Sequence, residues 1–227
     1  MILIVGANAA INSRIIPHLN NSDIAVVGRS EPDYFKVLKQ EGIGLKFFKT
    51  DYTNAAEVVA EIGEISSITV IFAGIASIPS LILNLESQQV RNELLLNLEF
   101  SILMTSILLP KMILNGFGRF IFLGSQESSR GAPGGAMYSI IKQAQIGLSR
   151  SVAVEYAKFG ITSNVLRLGL LSEGYSKELP SKEIEKLRLR IPTTRFLDYK
   201  DIAAQICTLI QSPSINGTII DIDQAVR

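Results

Sequence analysis

Seven short runs rich in β-branched and aromatic residues, at 2–5, 24–27, 45–48, 68–72, 119–123, 162–168 and 218–222, alternate with longer amphipathic stretches along the whole chain. Most are close to continuously apolar, the pattern of strands buried on both faces. The stretches between them read as helices at 11–16, 31–41, 54–62, 86–114 and 137–158, then a variable piece at 175–190 and a last helix at 198–211. Such alternation leaves few folds open, because parallel strands need crossovers, and right-handed crossovers place helices on both faces of the sheet. The expectation is an α/β protein: a doubly wound parallel sheet of about seven strands, in a single domain over 1–227. Residues 172–195 mark the one shift in composition, with dense Lys, Glu and Arg and with Pro180 and Pro192 as breakers. This segment follows the C-terminal end of a strand, where open α/β sheets bind ligands, so a mobile substrate lid is expected there.

Hydrophobic residues make up 47% of the chain and charged ones 19%, enough apolar material for a sizeable core. The formal net charge is +1 and no basic run reaches five residues, which argues against a nucleic-acid partner. Met1 leads directly into an apolar run with no basic segment, and the longest apolar candidate, 100–110, falls short of the roughly 18–20 residues of a membrane span. A soluble, cytoplasmic protein without a membrane partner is expected. Cys207 is the only cysteine and His18 the only histidine, so neither a disulfide framework nor a cysteine-based metal site can form within the chain. No cluster has metal-ligand spacing.

Chemistry concentrates in one stretch. Ser125 precedes a Gly/Pro-rich loop, after which Tyr138 and Lys142 stand four residues apart. On a helix that spacing puts phenol and ammonium on one face. A phenol has a pKa near 10, and bringing it to about 7 takes roughly 4 kcal/mol of preferential stabilisation of the phenolate. A neighbouring lysine in a partly dry site is a source of that field, and a tyrosine so tuned is a general acid for an alkoxide as it forms. The Ser125 hydroxyl would hold the carbonyl oxygen.

The first strand runs into Gly6-Ala7-Asn8-Ala9-Ala10-Ile11-Asn12 and a helix. This is either an ordinary βα turn or one that aims backbone N–H groups and a helix N-terminus at a pyrophosphate. Strand two ends Val27-Gly28-Arg29-Ser30. No acid stands at its end to grip a free ribose hydroxyl, and Arg29 is either a solvated loop residue or a clamp for a 2′-phosphate. Asp51 and Tyr52, after strand three, are placed to contact an adenine.

Together these blocks resemble the single-domain short-chain dehydrogenase/reductase family, over essentially the whole chain. Gly6 opens the cofactor turn, Asp51 follows strand three, Ala73-Gly74 ends strand four, and Asn97 sits in Leu94-Leu95-Leu96-Asn97-Leu98. Ser125, Tyr138 and Lys142 complete the family's tetrad, and Leu123-Gly124-Ser125 with the glycine loop suits its 3-oxoacyl-carrier-protein reductases. The resemblance implies that Tyr138 is the general acid/base, that Ser125 orients the carbonyl, that Lys142 lowers the tyrosine pKa and binds the nicotinamide ribose, and that Asn97 holds a water in a proton relay. It implies a cofactor site at Gly6, Asn8, Ala10, Ile11, Arg29, Ser30, Asp51, Tyr52, Ala73, Gly74 and Gly169, besides Tyr138 and Lys142. NADP(H) is the preferred cofactor by Arg29, with NAD(H) possible. The partner is a small carbonyl or alcohol: a ketone, a 3-oxoacyl thioester or a keto sugar. Family habit, with apolar helices at 86–114 and 137–158, implies a homodimer or homotetramer.

The chain departs from the pattern at Ala10 and Asn12, where the family's second and third glycines would stand. It departs again at Ile71-Phe72, at Leu168 before Gly169, and at Asp223-Gln224-Ala225. These changes bear on cofactor affinity more than on the tetrad. They motivate a second reading, a dinucleotide-binding module that is a sensor or structural subunit without turnover, against which the intact tetrad stands.

Overall fold

The computed structural model describes residues 1–19, 23–63, 66–74, 77–172 and 180–225. Seven strands form one parallel sheet: β1 (Ile2–Val5), β2 (Ile24–Gly28), β3 (Leu45–Lys49), β4 (Thr69–Phe72), β5 (Gly118–Ser125), β6 (Ile161–Leu168) and β7 (Ile219–Ile222). Their order is β3-β2-β1-β4-β5-β6-β7, so the winding reverses between β1 and β4. Such a switch point opens a crevice beyond the carboxyl ends of the two strands.

Period-two alternation divides the strand side chains between two cores. On one face Leu3, Val5, Val70, Phe72, Phe120 and Phe122 pack with Val58 of α3 (Ala55–Ile62) and with Met104, Leu108 and Met112 of a long helix. The aromatic rings of Phe72 and Phe122 stack at 4.6 Å between centroids. On the other face Ile2, Ile4, Val26, Ile71 and Ile121 meet Ile15 of α1 (Asn12–Ile15), Phe35 of α2 (Tyr34–Gln40) and Ile206 of α9 (Tyr199–Gln211). This two-sided burial is why the strands read as continuous apolar runs.

The long helix is α4 (Ser87–Leu94), a π-helical turn (Leu95–Glu99) and α5 (Phe100–Asn115) in one line. By length and composition this 29-residue helix could cross a membrane, although its uncharged run at 100–110 is bounded by Glu99 and Lys111. Its inner face, from Phe100 to Met112, belongs to the protein core. Outward it exposes Leu114, while α7 (Ala136–Tyr156) exposes Ile140 and Val154.

A short α6 (Glu127–Arg130) precedes α7 and was not expected, since the Gly/Pro-rich stretch around it hides a single turn. Of the expected lid, residues 173–179 lie outside the described ones, and the remainder includes α8 (Ser181–Leu189), an exposed helix with no buried residue.

Candidate active site

The turn after β1 is built around three residues. Gly6 has φ +105°, and a Cβ there would lie 2.7 Å from the Gly74 carbonyl oxygen, so only glycine fits. Asn12 is fully buried and its Nδ2 donates to the carbonyls of Gly6 (2.8 Å) and Ala7 (3.2 Å). Tyr34 Oη also donates to Ala7 O at 2.8 Å. The helix that follows, α1, is a single turn, so little of the expected macrodipole is available to an anion and backbone N–H groups must carry more of the load.

At the end of β2, Arg29 is exposed and Asn8 Nδ2 reaches Ser30 Oγ at 3.5 Å. Asn8, Ala10 and Ser30 share a shallow depression with Glu31 and Asp33. Carboxylates therefore do stand beside this strand end, one and three residues beyond where the sequence reading looked for them. Asp51 is exposed and its carboxylate accepts from the Thr53 N–H and hydroxyl, which hold its pKa below the usual carboxylate range. Tyr52 corrects the sequence expectation. Its ring is 3% exposed, lies edge-on to Phe100, and is part of the core rather than a surface for an adenine. Burial pushes its pKa up to about 12.

From the turn a continuous cleft runs along the strand ends. Ala10 and Ile11 line it on one side, Ala73 and Gly74 form its floor, and Ser125, Tyr138, Lys142 and Gly169 line the other side. Leu171 and Tyr199 also line it, and sequence reasoning did not single them out; their signal is only position, after β6 and at the start of α9. Gly169 is needed by close approach, since a Cβ there would lie 2.7 Å from Asp223 Cα.

Ser125 ends β5, where its Oγ accepts from Glu127 N–H at 3.2 Å and its carbonyl takes the Ser128 hydroxyl at 2.7 Å. Tyr138 stands in the first turn of α7. Burial raises its pKa, the Ser125 hydroxyl opposes that rise, and the Glu127 charge adds to it. Lys142, one turn on, is 6% exposed and donates from Nζ to Leu123 O at 2.7 Å. Its Nζ lies 5.9 Å from the centre of the Tyr138 ring, and burial pushes its own pKa down to about 8. Desolvation is the dominant influence on Tyr138, and the Lys142 ammonium is engaged with a strand carbonyl.

Asn97 is buried in the π-helical turn and is not among the residues that line the cleft. Its Nδ2 donates to Glu93 O at 2.9 Å, and its carbonyl accepts from Gln145 Nε2 of α7 (3.2 Å) and from Ser101 Oγ (2.8 Å). A π turn displaces main-chain carbonyls from their helical partners and recurs at functional sites.

The family model described as Enoyl-(Acyl carrier protein) reductase matches residues 30–225. The 3-oxoacyl-(acyl-carrier-protein) reductase of Buchnera aphidicola subsp. Baizongia pistaciae is 30% identical, covering 97% of this chain and 94% of that one. Among solved structures, an actinorhodin polyketide ketoreductase variant with NADPH superposes with a TM-score of 0.84 at 20% identity, over 99% of this chain and 96% of the other. A putative gluconate dehydrogenase from Agrobacterium tumefaciens gives 0.89 at 19% identity, over 100% and 95%. A family match over most of the chain, on a fold that ketoreductases share, makes this chain a member of the short-chain dehydrogenase/reductase family, an oxidoreductase that works with a nicotinamide dinucleotide.

Proposed function

We propose that the chain reduces a 3-oxo group, carried on an acyl thioester, with NADPH as the reductant. The observation that carries this reading is the convergence of Ser125, Tyr138 and Lys142 on the same cleft as the Ala10–Ile11 turn and the Gly74 floor. Ala10, Ile11, Gly74 and Lys142 would hold a nicotinamide dinucleotide along that cleft, which would supply the hydride that carbonyl reduction needs. Gly74 lines the cleft, and a Cβ there would lie 2.7 Å from Lys142 Nζ, so a glycine leaves room beside the ammonium, which fits the group.

The chain's own residues do the rest. Ser125 and Tyr138 hydroxyls hold the carbonyl oxygen, and the Ser125 hydroxyl opposes the rise in the phenol pKa. A phenol whose pKa is raised stays protonated at neutral pH, so Tyr138 is loaded as the proton donor that reduction needs. Lys142 supplies a buried positive charge one turn away, and Asn97, bonded through its carbonyl to Gln145 on the Lys142 helix, fixes the π turn against α7. Leu123, Leu168 and Leu171 keep the cleft poor in water. The substrate class follows the named activity of the Buchnera relative, and the preference for NADPH follows Arg29 at the end of β2.

The test is NADPH consumption at 340 nm with an acetoacetyl thioester. Tyr138→Phe keeps the ring and removes the donor, so turnover should fall about 10²–10⁴-fold while NADPH binding stays within about twofold. Turnover near that of the unsubstituted protein would remove Tyr138 from the proton step.

A further inference from the structure

Glu93 is a buried acid that the proposed proton transfer does not use. It is 6% exposed on α4, at a depth where carboxylates are seldom found without partners. Its carboxylate accepts from the Ser77 hydroxyl, from Ile78 N–H at 3.3 Å, and from Gln89 Nε2 at 2.9 Å. Gln89 in turn donates to Ile78 O at 3.2 Å, so one acid and one amide grip the N–H and the C=O of the same residue. The main-chain carbonyl of Glu93 is the acceptor for Asn97 Nδ2. One residue thus holds a loop with its side chain and the candidate catalytic asparagine with its backbone.

The loop it holds reaches the other helix of the site. Ser80 N–H donates to Gly134 O at 3.0 Å, and Ser80 pairs with Gly135 in an isolated parallel bridge. Gly135 is the N-cap of α7 and its carbonyl accepts from Ser139 N–H, so this bridge sits against the turn that carries Tyr138. A hydrogen-bonded strap at 77–80 therefore links the Asn97 turn to the start of the Tyr138 helix.

We propose that Glu93 is a positioning residue for the reaction, pinning the 77–80 strap so that the ketone meets Tyr138 from one fixed side. This inference rests on the proposed reduction and adds to it a residue outside the tetrad. Without the carboxylate, the Ser77 hydroxyl and the Ile78 N–H lose their acceptor, and the strap is held only by the Gln89 bond to Ile78 O and by its Ser80 end. The ketone then samples poses in which its oxygen is away from the two hydroxyls, and small misplacements of this kind weaken productive binding strongly.

The experiment compares the unsubstituted protein with Glu93→Leu, Glu93→Gln and Ser77→Ala, using NADPH and an acetoacetyl thioester, with amide hydrogen exchange at Ile78 and Ser80 read in parallel. Glu93→Leu should raise KM for the thioester about tenfold, change kcat by less than about threefold, leave NADPH affinity within about twofold, and speed exchange at both amides. Glu93→Gln keeps an acceptor oxygen and should stay within about threefold of the unsubstituted KM, while Ser77→Ala should shift KM in the same direction as Glu93→Leu by a smaller factor. A purely structural role would lower kcat and the melting temperature together and leave KM alone. An unchanged KM in Glu93→Leu overturns the proposal, and if that variant does not fold, an unchanged KM in Ser77→Ala does so. No turnover in the unsubstituted protein overturns the substrate reading and the positioning role with it, which sets that failure apart from failure of Glu93 alone.

Discussion

Replacing Lys142 by Met in the nucleotide-free protein tests the electrostatics of the cleft without relying on any substrate. Burial pushes the Lys142 pKa down from 10.5 to about 8. Below about pH 8 both folded and unfolded chains carry the proton, and the folded one holds a charge that burial disfavours. At about 1.4 kcal/mol for each tenfold change in proton affinity, that costs about 3 kcal/mol of stability. Between about pH 8 and 10.5 the unfolded chain binds a proton that the folded one has released, so stability rises with pH and the penalty disappears above that window. Going from pH 7 to pH 10 should recover about 2 kcal/mol, less whatever the 2.7 Å hydrogen bond to Leu123 O already returns to the ammonium.

Methionine matches the lysine stem and cannot be charged, so Lys142→Met loses this pH-dependent part. Urea unfolding of both proteins at pH 7, 8.5 and 10 measures it. Tyr34 and Tyr52, both raised by burial, are present in each protein and cancel in the difference. The stability of the variant relative to the unsubstituted protein should fall by about 1–2 kcal/mol across that range. Parallel pH curves would refute the reasoning, because a lysine that is not desolvated has nothing to recover.

Two further substitutions address the nucleotide end. Gly6→Ala puts a methyl 2.7 Å from the Gly74 carbonyl at φ +105°, so thermal unfolding should show a loss of about 2 kcal/mol or more and a nucleotide titration should show both NADPH and NADH weakened; unchanged stability would mean the turn opens at no cost. Arg29→Ala should weaken NADPH about tenfold and leave NADH alone, below the full worth of a charge-assisted contact because Arg29 is exposed; equal affinities for the two nucleotides in the unsubstituted protein would remove the 2′-phosphate from the Arg29 reading.

The central strands were legible because they are buried on both faces, and β1 and β4 start and stop within a residue of the apolar runs that announced them. Ser125, Tyr138 and Lys142 were legible because two secondary-structure ends fix them: a serine at the end of β5, and two residues one helical turn apart on α7. What could not be read was where flexible side chains go. The spacing of Tyr138 and Lys142 says that the two share a helix face, but the pull of Leu123 O on the ammonium comes from a strand nineteen residues upstream. Tyr52 misled for a similar reason. A tyrosine after β3 looks available to a ligand, yet its φ of +68° turns the ring inward onto Phe100, and no local pattern signals that turn. Glu93 was invisible as well, since an acid in an amphipathic helix reads as a solvated face until the strap it holds is seen.

The glycine signature shows why a motif and a structure weigh the same residues differently. Counting glycines after β1 finds one where three are customary and suggests a failing nucleotide site. What matters is the job each position does. Gly6 cannot be replaced, because its positive φ and its approach to Gly74 leave no room for a Cβ, and Gly6 is retained. Ala10 lines the cleft and adds a single methyl to it. Asn12 takes a larger step: its amide donates to two carbonyls of the turn from a fully buried position, replacing close helix–strand packing with hydrogen bonds that hold the loop from inside. A buried amide so engaged is costly to disrupt. The turn after β1 is therefore held by a different device, and its backbone path past Gly74, which a nucleotide needs, is fixed by Gly6 and Asn12 together.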